Sequence, residues 1–186
     1  IDIDPSSINK NVSVDLAMVG DVKFILEKLV LAVKQKHPDF ANSNKQKIAA
    51  WWGQIENWRK KNSLGFVNSK EVIKPQFAVQ RLYELTKAQD VFITTEVGQH
   101  QMWAAQHYKF DKPNRWMTSG GLGTMGYGLP AAVGVQVANP GKLVIDIAGE
   151  ASVLMTMQEM STAVQYKLPI KIFILNNEYM GMVRQW

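Results

Sequence analysis

The sequence predicts an α/β fold: three αβα layers around a mainly parallel sheet, truncated at both ends. Three observations point there. From Pro75 onward, apolar stripes at helical spacing alternate with short apolar runs rich in β-branched residues. Two of these runs, 143–147 and 170–175, stop abruptly at Gly149-Glu150-Ala151-Ser152 and at Asn176-Asn177, with a helix-patterned segment between them. The chain has 186 residues, 46% of them hydrophobic, enough to bury a core around such a sheet. Alternating elements of this kind pack as parallel strands joined by crossover helices on both faces.

In chain order, Ile1-Asp2-Ile3-Asp4 alternates like a strand and Pro5-Ser6-Ser7 turns it. Gly20-Asp21 resembles a helix start, after which Val22, Ile25, Leu26, Leu29, Val30 and Val33 mark one helical face. The segment 37–44, with Pro38 and two asparagines, reads as a break. Ile48, Trp51, Trp52, Ile55 and Trp58 form a second stripe, flanked by Lys45, Lys47, Arg59, Lys60 and Lys61. A basic helix carrying tryptophans suits a membrane or nucleic-acid surface; the reading adopted is an amphipathic helix packed on its own domain. Residues 63–75 read as a linker.

Beyond it come a helix (Phe77, Val79, Leu82, Leu85), a strand over 91–95 and a helix over 101–108. An irregular stretch and a glycine-rich turn follow, then a helix from about Leu129, a strand over 143–147, a helix from about Ser152 and a strand over 170–175. The chain opens without methionine and closes at Trp186 with no helix stop signal, so we expect a piece of a longer protein.

Composition narrows the chemistry. There is no cysteine, which excludes disulfides, thiolate catalysis and cysteine metal sites. His37, His100 and His107 lack metal-ligand spacing. The net charge of +5 is mild and spread along the chain, so no nucleic-acid partner is expected. No apolar run is long enough to cross a bilayer, and no signal-peptide layout opens the chain, so no membrane partner is expected either.

Two parallel strands ending at 149–152 and 176–177 would set Glu150 and Asn177 side by side at the carboxyl edge of the sheet, where open α/β sheets bind ligands. A carboxylate and an amide oxygen beside a small-residue turn that opens a helix suit a hard cation holding a phosphate. Gly121-Leu122-Gly123-Thr124-Met125-Gly126 competes with this, since it fits G-x-G-x-x-G and Asp146 lies about where a ribose-binding acid belongs. Context argues against a dinucleotide site: residues 112–116 are poor strand material, and Asp146 sits within its strand.

Gly149-Glu150-Ala151-Ser152 with Asn176-Asn177 resembles the two halves of the thiamine-diphosphate motif. Glu96-Val97-Gly98-Gln99-His100-Gln101-Met102-Trp103, Ser119-Gly120-Gly121-Leu122-Gly123-Thr124-Met125-Gly126 and Gly181-Met182-Val183-Arg184-Gln185-Trp186 narrow the likeness. Together they resemble the catalytic subunits of the acetohydroxyacid (acetolactate) synthase family. The resemblance implies that 1–40 is the end of a middle, FAD-contacting domain, 41–74 a linker with an amphipathic helix, and 75–186 an incomplete C-terminal domain binding thiamine diphosphate and Mg²⁺. It implies a carboligase that decarboxylates pyruvate and joins the two-carbon unit to a second 2-ketoacid, on the way to branched-chain amino acids. A homodimer or higher homo-oligomer, a possible small regulatory subunit and a bacterial-type cytoplasmic location follow from the same likeness, with an organelle left open because the N-terminus is expected to be missing.

Carried over position by position, the resemblance gives Glu150, the Asn177 side chain and the Tyr179 carbonyl to Mg²⁺. It places Val97, Gly98, Gln99, His100, Gly149, Ala151 and Ser152 near the diphosphate and thiazolium. Gly123 and Met125 would hold the aminopyrimidine and bend the cofactor. Met182, also close to the cofactor, would line the second-substrate pocket with Val183 and Trp186. Asp2 and Ile3 match FAD-contacting positions, and FAD is expected only in the full-length parent. The family usually carries aspartate at the position of Glu150; the added methylene is expected to weaken Mg²⁺ binding without abolishing it. The glutamate that activates the pyrimidine comes from another domain in this family, so the 186 residues alone are expected to be inactive. Glu96 stands in the wrong motif for that part. The alternatives are a pyruvate oxidase or glyoxylate carboligase type of thiamine enzyme, or a non-catalytic assembly module.

Overall fold

The first sixty-odd residues are built from helices and one bridge. In the computed structural model, which describes residues 1–186, they form one of two compact units, Ile1–Ser63 and Leu64–Trp186. The expected opening strand shrinks to a single bridge, Asp2 to Val19, because Pro5 has no N–H to continue a ladder and starts a 3₁₀ turn, Pro5–Ser7. Asp4 caps that turn through the Ser6 N–H at 2.8 Å. Helix α1 (Val22–Lys36) begins where Gly20-Asp21 indicates, with Asp21 Oδ1 accepting from the Phe24 N–H at 3.0 Å. The break at 37–44 contains a single helical turn, α2 (Phe40–Ser43), and α3 (Lys45–Lys60) carries the tryptophans.

The second unit is the α/β domain. Its strands β1 (Val91–Thr95), β2 (Trp116–Thr118), β3 (Leu143–Ala148) and β4 (Lys171–Ile174) form one all-parallel sheet in the order β2-β1-β3-β4. Its helices are α4 (Pro75–Thr86), α5 (Gln99–His107), α6 (Gly128–Ala138), α7 (Glu150–Leu154), α8 (Glu159–Gln165) and α9 (Gly181–Gln185).

Successive strand residues point to opposite faces, and both faces are apolar, as a parallel sheet covered on two sides requires. On one face Val91, Ile93, Ile145 and Ile147 pack with Val79 of α4, Ala104 of α5 and Tyr108. On the other, Phe92 and Val144 meet Ala132 of α6, while Ala148 meets Leu129 of α6 and Val153 of α7. These are the three αβα layers.

Two elements depart from expectation. Strand β2 lies in the stretch read as irregular; three residues suffice because β1 supplies the pairing, Ile93 opposite Trp116 and Thr95 opposite Thr118. The helix expected from about Ser152 is broken into α7 and α8. Tight turns replace its middle, Met155 N–H to Ser152 O and Glu159 N–H to Thr156 O, while the Thr156 hydroxyl donates to Gly126 O at 3.1 Å.

At the amino ends of the strands one carboxylate gathers the chain. Asp90, just before β1, accepts from Arg115 Nε at 3.0 Å and pairs with Lys142 at 3.1 Å and Lys112 at 3.4 Å. Arg115 first, then Lys142, hold its carboxyl down at about 2.

Candidate functional site

The strand order places a switch point between β1 and β3: the chain leaves β1 toward β2 on one side and returns to β3 on the other. Loops at the carboxyl ends of such neighbours diverge and leave a crevice. A cleft lies there, walled by the residues after β1, after β3 and after β4 together with Met125.

The chain leading to the first wall leaves the sheet at Glu96, whose N–H still donates to Ile147 O at 3.0 Å, extending the β1–β3 ladder by one residue. The chain then turns at Gly98 into α5. His100, almost fully buried, is clasped between two glycines: a Cβ at Gly98 would lie 2.5 Å from its Cε1, and one at Gly149 2.7 Å from its Nδ1. A side chain at either position would push the ring from its place. Burial drives the imidazole down to about 4, against a hydrogen bond to the Glu96 backbone and the charge of Glu150, so the ring is neutral at pH 7.

The second wall follows β3. Ser152 Oγ closes the turn on itself, accepting from Gly149 N–H at 3.1 Å and donating to Gly149 O at 3.0 Å, with His100 Nε2 at 3.4 Å. This bond pattern fixes the start of α7 and sets Glu150 on the cleft wall.

The third wall follows β4, whose ladder continues through Leu175 N–H to Ala148 O at 2.8 Å. Asn177 folds an Asx turn, its Oδ1 accepting from Tyr179 N–H at 3.1 Å, while its Nδ2 donates to Gln99 Oε1 at 3.3 Å. Gln99 Nε2 donates to Gln185 Oε1 at 3.0 Å, tying α9 to the start of α5. The Arg184 guanidinium stacks 3.9 Å over the Tyr179 ring.

The polar atoms converging here fit a hard cation with a phosphate. They are a carboxylate (Glu150), an amide oxygen with a lone pair to spare (Asn177) and backbone groups. No group of three or more histidine, aspartate or glutamate side chains that could hold a metal ion is present. The G-x-G-x-x-G stretch follows β2, a half-buried edge strand, and Asp146 is sealed inside β3 with Oδ1 accepting from Thr94 Oγ1 at 3.0 Å. It has no access to a ribose.

Residues 96–186 match the family described as thiamine pyrophosphate enzyme, C-terminal TPP binding domain. Residues 96–186 thus resemble the C-terminal TPP binding domain of thiamine pyrophosphate enzymes. The chain is 49% identical over 186 residues to the acetolactate synthase isozyme 3 large subunit of Escherichia coli (strain K12), covering all of this chain and 32% of that protein. It is 45% identical over 186 residues to the acetolactate synthase large subunit of Haemophilus influenzae, covering all of this chain and 32% of that protein. It is 44% identical over 186 residues to acetolactate synthase 1, chloroplastic, of Oryza sativa subsp. japonica, covering all of this chain and 28% of that protein. The chain thus spans about a third of the length of the curated relatives it matches. No helix is long and apolar enough to cross a membrane.

The cleft brings together Val97, Gly98, Gln99, His100, Met125, Gly149, Glu150, Ala151, Ser152, Asn177, Tyr179, Met182 and Val183. Gly123 and Trp186 are not in its wall; Gly123 is exposed, and Trp186, the last residue, is 92% exposed. Asp2 and Ile3 lie in the first unit, where Asp2 makes the bridge to Val19 and Ile3 is exposed. Trp103, Leu175 and Met180 also line the cleft and had no assigned role. Trp103 could have been found, since it stands one helical turn after Gln99 and so shares its face of α5.

Proposed function

We propose that this chain is the cofactor-binding part of an acetolactate synthase catalytic subunit, which decarboxylates pyruvate and joins the two-carbon unit to pyruvate or 2-ketobutyrate. One observation carries the reading: Glu150 and Asn177, at the ends of neighbouring parallel strands, share one cleft with Gln99, His100 and Met125. The sequence identity to acetolactate synthase large subunits along the whole chain supports that choice over other thiamine enzymes.

In this reading Glu150, Asn177 Oδ1 and the Tyr179 carbonyl hold Mg²⁺, and the small residues Gly98, Gly149, Ala151 and Ser152 leave room for the diphosphate. Thiamine diphosphate, when bound, supplies the carbon nucleophile and the electron sink for decarboxylation. The protein's share is to position and to exclude water. Neutral His100, locked between the two glycines, offers a hydrogen bond without adding charge. Met125 forms the wall on which the pyrimidine end rests. Met182 and Val183 give the second substrate an apolar surface, and such a surface separates substrates differing by one methylene by about 1–3 kcal/mol.

Gly123 and Trp186 join this site only when further parts of the enzyme order around it, and Asp2 and Ile3 face FAD only in the full-length protein. A small regulatory subunit, which the "large subunit" name of the relatives implies for them, and a homodimer belong to the same proposal. So does a bacterial cytoplasm, alongside chloroplastic relatives.

Calorimetric titration tests the reading. Thiamine diphosphate should bind with heat in the presence of Mg²⁺ and without heat in excess chelator; no heat in either condition defeats it. Glu150→Asp should tighten Mg²⁺ binding several-fold, and an unchanged affinity would remove Glu150 from the metal. Assayed as the parent enzyme with pyruvate, acetolactate is the product expected, whereas acetyl phosphate formed when phosphate and O₂ are supplied, or tartronate semialdehyde formed when glyoxylate replaces pyruvate, would assign it elsewhere among thiamine enzymes.

A further inference from the structure

We infer that Glu96 is a positioning residue for the cofactor cleft: its buried carboxylate, gripped by two backbone N–H groups where α6 begins, fixes the turn that presents Met125. The inference rests on the thiamine-diphosphate reading and concerns how that site is held in shape.

Glu96 is fully buried and is not part of the cleft wall. Its Oε2 accepts from Gly126 N–H at 2.7 Å and its Oε1 from Leu129 N–H at 3.0 Å. Gly126 immediately follows Met125, and Leu129 is the second residue of α6, so one side chain from the end of β1 spans the turn and the helix start. Gly126 is also held at its other end, its carbonyl accepting from Thr156 Oγ1 at 3.1 Å. Its φ of +89° is a conformation that glycine alone adopts freely. The two peptide units flanking Gly126, the first of them shared with Met125, are therefore held by the side chains of Glu96 and Thr156.

The arrangement answers an electrostatic need on both sides. The first N–H groups of an α-helix have no internal partner and carry partial positive charge, and a buried carboxylate must find donors. Burial raises the Glu96 carboxyl, and the N–H groups of Leu129 and Gly126 pull it back toward ionisation. Close approach makes the contact possible: a Cβ at Gly128 would lie 2.6 Å from Glu96 N and 2.7 Å from Thr95 C.

An ordinary helix cap would affect stability alone, whereas a positioning residue changes how one end of the ligand is held. The test uses two ligands and a cycle of variants in the Mg²⁺-loaded enzyme that contains this chain. Thiamine diphosphate reaches Met125 with its pyrimidine; inorganic pyrophosphate occupies only the phosphate end. Glu96→Gln keeps one acceptor but turns a donor toward a donor. It should weaken thiamine diphosphate about tenfold, the loss of roughly one charge-assisted hydrogen bond, and leave pyrophosphate within about twofold. In a Met125→Ala background the same change should cost less than about threefold, because the element it acts through is gone. Glu96→Asp, which keeps the charge and both oxygens, should stay within about threefold of wild type.

Equal losses for both ligands, no loss for either, or full additivity with Met125→Ala would overturn the positioning role. If Glu96→Gln does not fold, Thr156→Val, which cuts the tie at the other end of Gly126, must reproduce the selective loss at about threefold; its absence overturns the role as well. Wild type that binds neither ligand defeats the underlying reading and this inference with it. Wild type that binds both while the variants bind normally defeats the positioning role alone.

Discussion

The two units carry apolar stripes of similar quality and use them differently. In Ile1–Ser63 no residue is buried: Leu26, Leu31, Trp51 and Trp52 all stand largely in solvent. In Leu64–Trp186, Val79, Ile93, Leu129, Val144 and Ile147 are completely buried. The helices are not what differs, since α1 has as regular an apolar face as α4. In the second unit the partner is the sheet. A parallel sheet offers two flat apolar faces, and each helix laid on it buries its stripe against alternate residues of two or three strands at once. A stripe on a helix announces that a partner is wanted; a strand pattern nearby says what the partner is.

The largest effect that tests this contrast lies in the middle of the sheet. Ile147→Ala removes a fully buried side chain from β3, where the inner face meets α4 and α5, and should cost about 2–5 kcal/mol in urea unfolding. A cost below about 1 kcal/mol would mean that the second unit is no better packed than the first. Next comes Gly128→Ala. The new methyl would press on backbone atoms of Thr95 and Glu96 that cannot rotate away, so α6 must lift from the strand end, at about 1–3 kcal/mol.

The same contrast explains what could be read from the sequence. Strands β1 and β3 were visible because nearly every residue is apolar or β-branched and each run ends at small or polar residues. The two loop tips at Gly149-Glu150 and Asn176-Asn177 were visible for the same reason, since a buried run that halts abruptly marks a strand's carboxyl end. Strand β2 was not visible: Trp116-Met117-Thr118 is too short to show a period, and only pairing with Ile93 and Thr95 makes it a strand. The break between α7 and α8 depends on Thr156 reaching Gly126, a contact between residues far apart in the chain. Nothing local marks Glu96 as the buried acid that holds the turn and the helix start together, or Asp146 as one packed against that helix; their partners arrive with α6 on the sheet. What was illegible in each case is a long-range partner.

Asp146 adds a pH signature that the first unit, with no buried acid, cannot supply. Burial first, then the neighbouring charge of Glu96, raise its carboxyl to about 7 from an ordinary 3.8, against the hydrogen bond from Thr94. Between these values the folded chain keeps a proton that the unfolded chain releases. Its contribution to stability is therefore complete below about pH 4 and is lost as the pH rises through about 7. His100 acts in the opposite sense: held at about 4 against an ordinary 6.5, it favours the folded state as the pH rises through that interval. The difference between wild type and Asp146→Asn isolates the acid. The variant should gain on wild type steadily from pH 4 to 8 in thermal melts, and a constant gap would show that Asp146 titrates normally.

The smaller effects belong to the first unit, where local bonds outweigh packing. Asp21→Ala removes the side-chain cap of α1 and should cost that helix about 1 kcal/mol. Leu26→Ala, five residues on, deletes far more apolar volume from a side chain that is 45% exposed, yet should cost no more than about 0.5 kcal/mol. Amide hydrogen exchange along 22–36 reads both changes in the helix itself, free of the second unit's unfolding. The expected order is the reverse of that inside the sheet, where a lost methyl group matters more than a lost cap. If Leu26→Ala speeds exchange more than Asp21→Ala does, the α1 face is packed against something that keeps it from water, and the contrast between the two units fails at its first element.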